Sequence, residues 1–236
     1  MAIYKIADVV FELKTVYGYT HKLCEKYLYD GKPEFFIETT NDDINAEKIN
    51  VEDFPDFYLE SLAVYRKLCT KIVKDYNGFI FHSSALAVDG KAYIFTAPSG
   101  TGKSTHAKLW RELLGDKVIM VNDDKPIFRY IDGKFYVYGT PWDGKHRLST
   151  NTRAEIKAIA QISQSNENFI KKATPQEIFQ MIFNQTLRFE DAENMLKLLD
   201  LLDNLMSKVD LYTLGVNMDI SSAQLSYGVM SGNTEI

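Results

Sequence analysis

The sequence predicts a mixed α/β protein, with a small α+β unit over residues 1–77 and a larger unit over 78–236. Three observations carry this. Residues 1–75 pass from short apolar, β-prone segments into one long stretch of helical period. From residue 79 the order becomes extended run, tight turn, extended run, Gly-rich loop and helix. Further short strands and two Leu/Met-faced helices follow.

Ile3 to Ile6 and Val9 to Leu13 are apolar-rich, and Glu34 to Thr39 is β-prone and bounded by Gly31 and Pro33, so all three read as strands. Residues 40–56 are polar, with Asn41, Asp42, Asp43 and Pro55, and read as a loop. Leu59, Leu62, Ala63, Tyr65, Leu68, Ile72 and Val73 recur at three- and four-residue spacing, a helix over 57–75. Phe79 to Val88 is one long extended run. Asp89-Gly90 is a hairpin turn, and 91–96 is its return strand. Residues 97–102 are Gly-rich and 103–114 helical by pattern. Lys117 to Val121 is a buried strand that ends at Asn122-Asp123-Asp124. Strands at 126–131 and 134–138 flank Asp132-Gly133, and another covers 157–162. Helices are expected at 175–186 and 190–207 and a last strand at 210–214; the Leu/Met face of the second helix reads as core.

Composition narrows the function. With 45% hydrophobic and 25% charged residues the chain is neither disordered nor fibrous. A net charge of -5 excludes a broad nucleic-acid or acidic-membrane binder. No apolar run reaches the roughly 18 residues a membrane helix needs. Lys5, Asp8, Glu12 and Lys14 break the start of the chain where a signal peptide would be apolar, so a cytoplasmic protein is expected. Cys24 and Cys69 lie in no motif and read as buried or reduced thiols.

The chemistry concentrates in Ala97-Pro98-Ser99-Gly100-Thr101-Gly102-Lys103-Ser104-Thr105. It follows the phosphate-binding pattern G-x-x-x-x-G-K-[ST], with Ala97 where the pattern has its first glycine. Gly100 and Gly102 let the backbone close on an anion, and a helix opening at Lys103 adds its positive end. Residues Ser99 to Thr105 would then cradle phosphates, with Lys103 reaching the β- and γ-phosphates and Ser104 ligating magnesium. Asp123 and Asp124 follow the next strand. On an extended chain their side chains point to opposite faces, which suits two different duties, one holding magnesium and one accepting a hydroxyl proton. His82 lies on the strand before the loop, placed near the phosphates by the hairpin. Lys145, His146 and Arg147 form a basic cluster, of which Lys145 and Arg147 are candidates for neutralising a transferred phosphoryl group. Trp142 reads equally as a ligand-stacking ring or a packed loop anchor, and His106 as facing solvent or core.

The run FHSSALAVDGKAYIFTAPSGTGKST…VIMVNDDKPIF resembles the catalytic domain of HPr kinase/phosphorylase and its relatives, and the nucleotide core of ATP-dependent phosphoenolpyruvate carboxykinase. The stretch from Gly139 to Lys145 is similar to a Gly-Thr-Pro-Trp-x-Gly-Lys segment of small HPr-kinase-related proteins. The resemblance covers about 79–215, and residues 1–75 lie outside it. It implies a phosphate-loop kinase using ATP and Mg2+, with a serine-type hydroxyl acceptor in a peptide, a protein or a small molecule. It implies that Lys103 and Ser104 bind phosphates and metal, that Asp123 is the base and Asp124 the metal ligand, with the reverse assignment open, and that His82 orients an aspartate or the γ-phosphate. Related proteins form oligomers and include tailoring enzymes of ribosomal peptides, so a homo-oligomer and a peptide acceptor are both open. The alternatives are an ATP-binding regulatory protein without transfer, which Ala97 favours, and a phosphohydrolase or phosphorylase.

Overall fold

A computed structural model gives the structure of the protein and describes residues 1–48 and 54–232. The chain divides into two compact units, Met1–Tyr76 and Asn77–Ile236.

In the first unit, β1 (Ala2–Ile6) and β2 (Val9–Lys14) form an antiparallel hairpin, and β3 (Phe35–Glu38) adds parallel to β2 with Phe35 opposite Phe11. A short helix α1 (Tyr19–Leu23) precedes β3, and α2 (Asn41–Lys48) and α3 (Asp56–Asp75) follow it. The periodic face of α3 buries Leu59, Ala63, Leu68 and Ile72, as the spacing predicts. Residues 41–48 are helical where the sequence reads as a loop, and the part of that loop at 49–53 lies outside the described residues. The helix starts on a side-chain cap rather than an apolar stripe. Asp43 accepts from the Thr40 backbone N–H at 2.8 Å and from its hydroxyl at 3.0 Å. Only Ile44 and Glu47 are buried, so no period shows.

The second unit is built on a nine-stranded mixed sheet. Its strands are β4 (Gly78–Ile80), β5 (Ser84–Val88), β6 (Lys91–Thr96), β7 (Val118–Asn122), β8 (Ile127–Ile131), β9 (Lys134–Tyr138), β10 (Arg153–Gln164), β11 (Phe169–Lys172) and β12 (Asp210–Val216). Its helices are α4 (Lys103–Leu114), α5 (Pro175–Asn184), α6 (Ala192–Lys208) and α7 (Ile220–Ser231). β5 and β6 are the expected hairpin, with β7 antiparallel on the far side of β5. β10 lies parallel to β6 along Glu155 to Gln161. On its other edge β10 forks, its start pairing with β9 and Ala158 to Gln164 with β12.

The extended run at 79–88 breaks. Residues 81–83 belong to neither neighbouring strand: β4 pairs with β8, and β5 pairs with β6 and β7. Their amides bond elsewhere, Phe81 N–H to Pro126 O, His82 N–H to Gln185 O and Ser83 N–H to Asp124 O. His82 therefore sits in a crossing between strands, not on the strand the sequence predicts. α7 is unanticipated. It packs on α4, where Trp110 meets Tyr93, Phe95 and Tyr227 in an aromatic cluster. Cys24 and Cys69 are buried free thiols, and burial pushes the Cys24 thiol up to about 12.

Candidate functional site

The loop from Ala97 to Gly102 leaves the C-terminal end of β6 and delivers the chain into α4. Gly100 and Gly102 have φ values of 79° and 116°, a region that side-chain-bearing residues rarely adopt, and Gly102 is the residue before the helix. Ala97 is wholly buried in the core cluster, where its methyl packs. The glycine-to-alanine difference therefore falls on a packed position and not on the two turns.

Lys103 is the first helical residue and is nearly buried. Its ammonium donates to Ala97 O at 2.9 Å and Pro98 O at 3.4 Å. Burial lowers its pKa, and the carboxylates of Asp124 and Asp123 oppose that shift. Ser104 and Thr105 are exposed at the same helix end.

Asp123 and Asp124 stand opposite. β7 ends at Asn122, so the alternation of an extended strand does not reach them, and both line one cleft of about 500 Å3 with Lys103 and Ser104. The turn is local chemistry. Asn122 Oδ1 accepts from the N–H groups of Asp124 and Lys125, both at 2.8 Å, while its Nδ2 donates to Thr140 O at 3.1 Å. Asp123 Oδ1 accepts from the Ser84 hydroxyl at 2.5 Å. Both oxygens of Asp124 are engaged, Oδ2 by Lys125 Nζ at 2.5 Å and Oδ1 by His82 Nε2 at 3.3 Å.

His82 is positioned from the end of α5. Its Nδ1–H donates to Gln185 Oε1 at 2.7 Å, and its backbone N–H donates to Gln185 O at 2.7 Å. A second proton on Nε2 is opposed by burial and by the Lys103 ammonium, and favoured by Asp124; the net effect lowers the His82 pKa.

The third wall is the segment after β9. A Cβ at Gly139 would overlap the carbonyl oxygens of Thr150 and Val121, so only glycine passes there. Trp142 is buried as a loop anchor. Asp143, also buried, accepts from Ser149 N–H at 3.1 Å and Ser149 Oγ at 2.8 Å, closing the loop between them. Gly144, Lys145 and His146 line the cleft. Arg147 is exposed and is not among the lining residues.

Of the residues singled out from the sequence, the cleft brings together His82, Ser99, Gly100, Gly102, Lys103 and Ser104, with Thr105, Asp123, Asp124 and Lys145. Thr101 lines a neighbouring cavity of about 640 Å3, which shares Gly100, Gly102 and Thr105 with the cleft. Sequence reading missed Ser84 and Gln185. Both act through contacts across 39 and 103 residues, which no local pattern encodes. His106 is buried, its Nε2 2.9 Å from Ser226 Oγ, so it faces α7 and the core.

The arrangement is an anion cradle facing two carboxylates. Left-handed glycines, a helix N-terminus and a lysine attract negative charge. Asp123 and Asp124 repel it. The two sides are reconciled by an anion that brings a hard cation, for which the Ser104 hydroxyl and the aspartates are suitable oxygen donors. Among the described residues no three His, Cys, Asp or Glu side chains gather as a metal site, so such a cation would draw on its ligand's own oxygens as well.

No family model and no curated protein matches the chain. A distant likeness in fold is found to a solved HPr(Ser) kinase/phosphatase from Coxiella burnetii, at TM-score 0.39 and 9% identity, covering 65% of this chain and 91% of that chain. Among the described residues no helix is long and apolar enough to cross a membrane.

Proposed function

We propose that the second unit binds MgATP and that the protein is a kinase transferring the γ-phosphate to a hydroxyl. The observation that carries this is the cradle of Gly100, Gly102 and Lys103 set against Asp123 and Asp124 across one cleft. A site for phosphate alone has no use for two facing carboxylates.

The triphosphate lies over the N-terminus of α4. The nucleoside extends into the 640 Å3 cavity on the β10 and β12 side of the loop, where Gln164, Asn166 and Asn217 offer amide donors and acceptors and Val216 and Met218 an apolar surface. Magnesium held by Ser104 and Asp124 would neutralise charge between the phosphates. Lys103 leaves the carbonyls of Ala97 and Pro98 for the phosphate oxygens, an exchange that costs little because its ammonium is already partly desolvated. Asp123 keeps Oδ2 free of protein partners among the described residues while Ser84 holds Oδ1, so Oδ2 takes the acceptor's proton. His82, fixed by Gln185, stands with Nε2 3.3 Å from Asp124 Oδ1 and orients that carboxylate when Nε2 carries a proton. Lys145 adds positive charge at the reacting end.

The test is transfer of labelled γ-phosphate by wild type and three variants. Lys103→Ala is expected to weaken MgATP binding about 100-fold or more, as loss of a charge-assisted contact in a dry site does. Asp123→Asn is expected to lower kcat about 1,000-fold with MgATP affinity kept, and Asp124→Asn to raise the magnesium requirement. Interchanged results exchange the two roles. Full transfer by Lys103→Ala overturns the reading.

A further inference from the structure

A second depression opens from the cleft along the outer face of α4, a groove of about 540 Å3. The two spaces share Ser104, Thr105, Asp123 and His146. The groove adds Lys108, Arg111, Glu112 and Leu148. Asp124 lines the cleft but not the groove, so Asp123 is the aspartate of the pair that faces both.

Ser104, Lys108 and Arg111 stand at i, i+4 and i+7, on one helix face. Helical side chains lean toward the N-terminus, which here is the cleft end. Lys108 is mostly exposed and, among the described residues, is paired with Glu112 alone, at 3.4 Å. The Arg111 guanidinium has no ion pair among the described residues. A partly buried arginine without a counter-ion, beside a space that leads to a candidate general base, fits a ligand that brings the negative charge.

We infer that this groove is the acceptor site, and that the acceptor is a small molecule whose hydroxyl lies a few bonds from an anionic group, carboxylate or phosphate, which Arg111 and Lys108 bind. The inference rests on the phosphoryl transfer proposed above and adds the acceptor's class. Ser104 and Arg111 are about 10 Å apart along the helix, and the lean of the side chains shortens that further, which is the span of a molecule of a few carbon atoms. The hydroxyl proton passes to Asp123 Oδ2. The hydroxyl oxygen forms its bond to the γ-phosphorus as the bond to the β–γ bridging oxygen breaks. ADP leaves with that electron pair, and a phosphomonoester remains.

A low-molecular-weight extract of the source cells is split on an anion exchanger into unretained and retained fractions. Each is incubated with γ-labelled ATP, magnesium and wild type, Arg111→Gln, Lys108→Gln or Lys103→Ala, beside the macromolecular remainder of the extract. The expected result is label in a compound from the retained fraction. Arg111→Gln is expected to raise the apparent KM for that compound about ten-fold or more, with KM for ATP and the melting temperature unchanged. Prior treatment of the fraction with alkaline phosphatase removes the acceptor if its anion is a phosphate and spares it if a carboxylate. Label entering a compound of the unretained fraction or a macromolecule, or an unchanged acceptor KM in Arg111→Gln, overturns the inference and leaves the kinase reading standing. ATP bound by wild type and lost in Lys103→Ala, with label transferred in no fraction, overturns both.

Discussion

Buried polar side chains set much of the behaviour expected of single residues. His106 lies behind the loop against Ser226, and burial pushes its imidazole down to about 4. The unfolded chain takes up that proton near pH 6.5 and the folded chain only near pH 4, so this part of the stability is whole above pH 6.5 and is lost as the pH falls toward 4. The amount is about 3 kcal/mol. His82 and His21, also shifted downward by burial, act in the same direction. Denaturant unfolding at pH 7 and pH 4.5 is expected to show the loss, and His106→Gln to reduce it. In the first unit Glu60 is fully buried and accepts from Val16 N–H at 2.6 Å, Tyr17 N–H at 2.9 Å and Thr39 Oγ at 2.7 Å. Glu60→Ala leaves three donors without an acceptor and is expected to cost about 2–4 kcal/mol in the same measurement. Lys103, Ser104, Asp123 and Asp124 could be read as a set from the sequence, because the first pair sits in a short motif and the second ends the next strand. That both aspartates share one face could not, since it depends on Asn122 turning the chain with its own side chain.

Among the elements, those with a clear period were legible. The helix of α3, the β5–β6 hairpin around Asp89-Gly90 and the entry into α4 follow directly from spacing and turn residues. α7 was hidden for a physical reason. Its buried positions include Ser222, Ala223 and Ser226, small residues that let it approach α4 and make a polar stripe in the sequence where an apolar one is sought. The break at 81–83 was hidden because Phe79 to Val88 is uniformly extended in character, and only partners at Pro126, Asp124 and Gln185 divide it. One of these partners ties His82 to α5, which opens with a full capping box: Thr174 and Glu177 each bond the other's backbone N–H. Thr174→Ala is expected to destabilise the second unit by about 1 kcal/mol. Because Gln185 follows the last turn, the change is also expected to lower kcat more than it affects MgATP affinity, read from steady-state kinetics beside the melting curve.

For the molecule as a whole, every residue lining the cleft lies between His82 and His146, within the second unit. A chain of residues 77–236 is therefore expected to keep its magnesium-dependent ATP affinity, measured by titration calorimetry against the full chain. The forked strand β10 carries a consequence for how such a chain is made. It takes β6 along one edge and both β9 and β12 along the other, and β12 is supplied only by Asp210–Val216. During synthesis from the N-terminus, the edge of Ala158 to Gln164 emerges with its backbone groups unmatched and waits for some fifty further residues. Over that interval the ribosome-bound chain presents an open, mostly buried-type strand edge, the kind of surface that pairs with whatever strand arrives first. Arrest of translation before Asp210 should thus yield a product that chaperones retain, while arrest just after the tunnel has released Val216 should yield one that they let go.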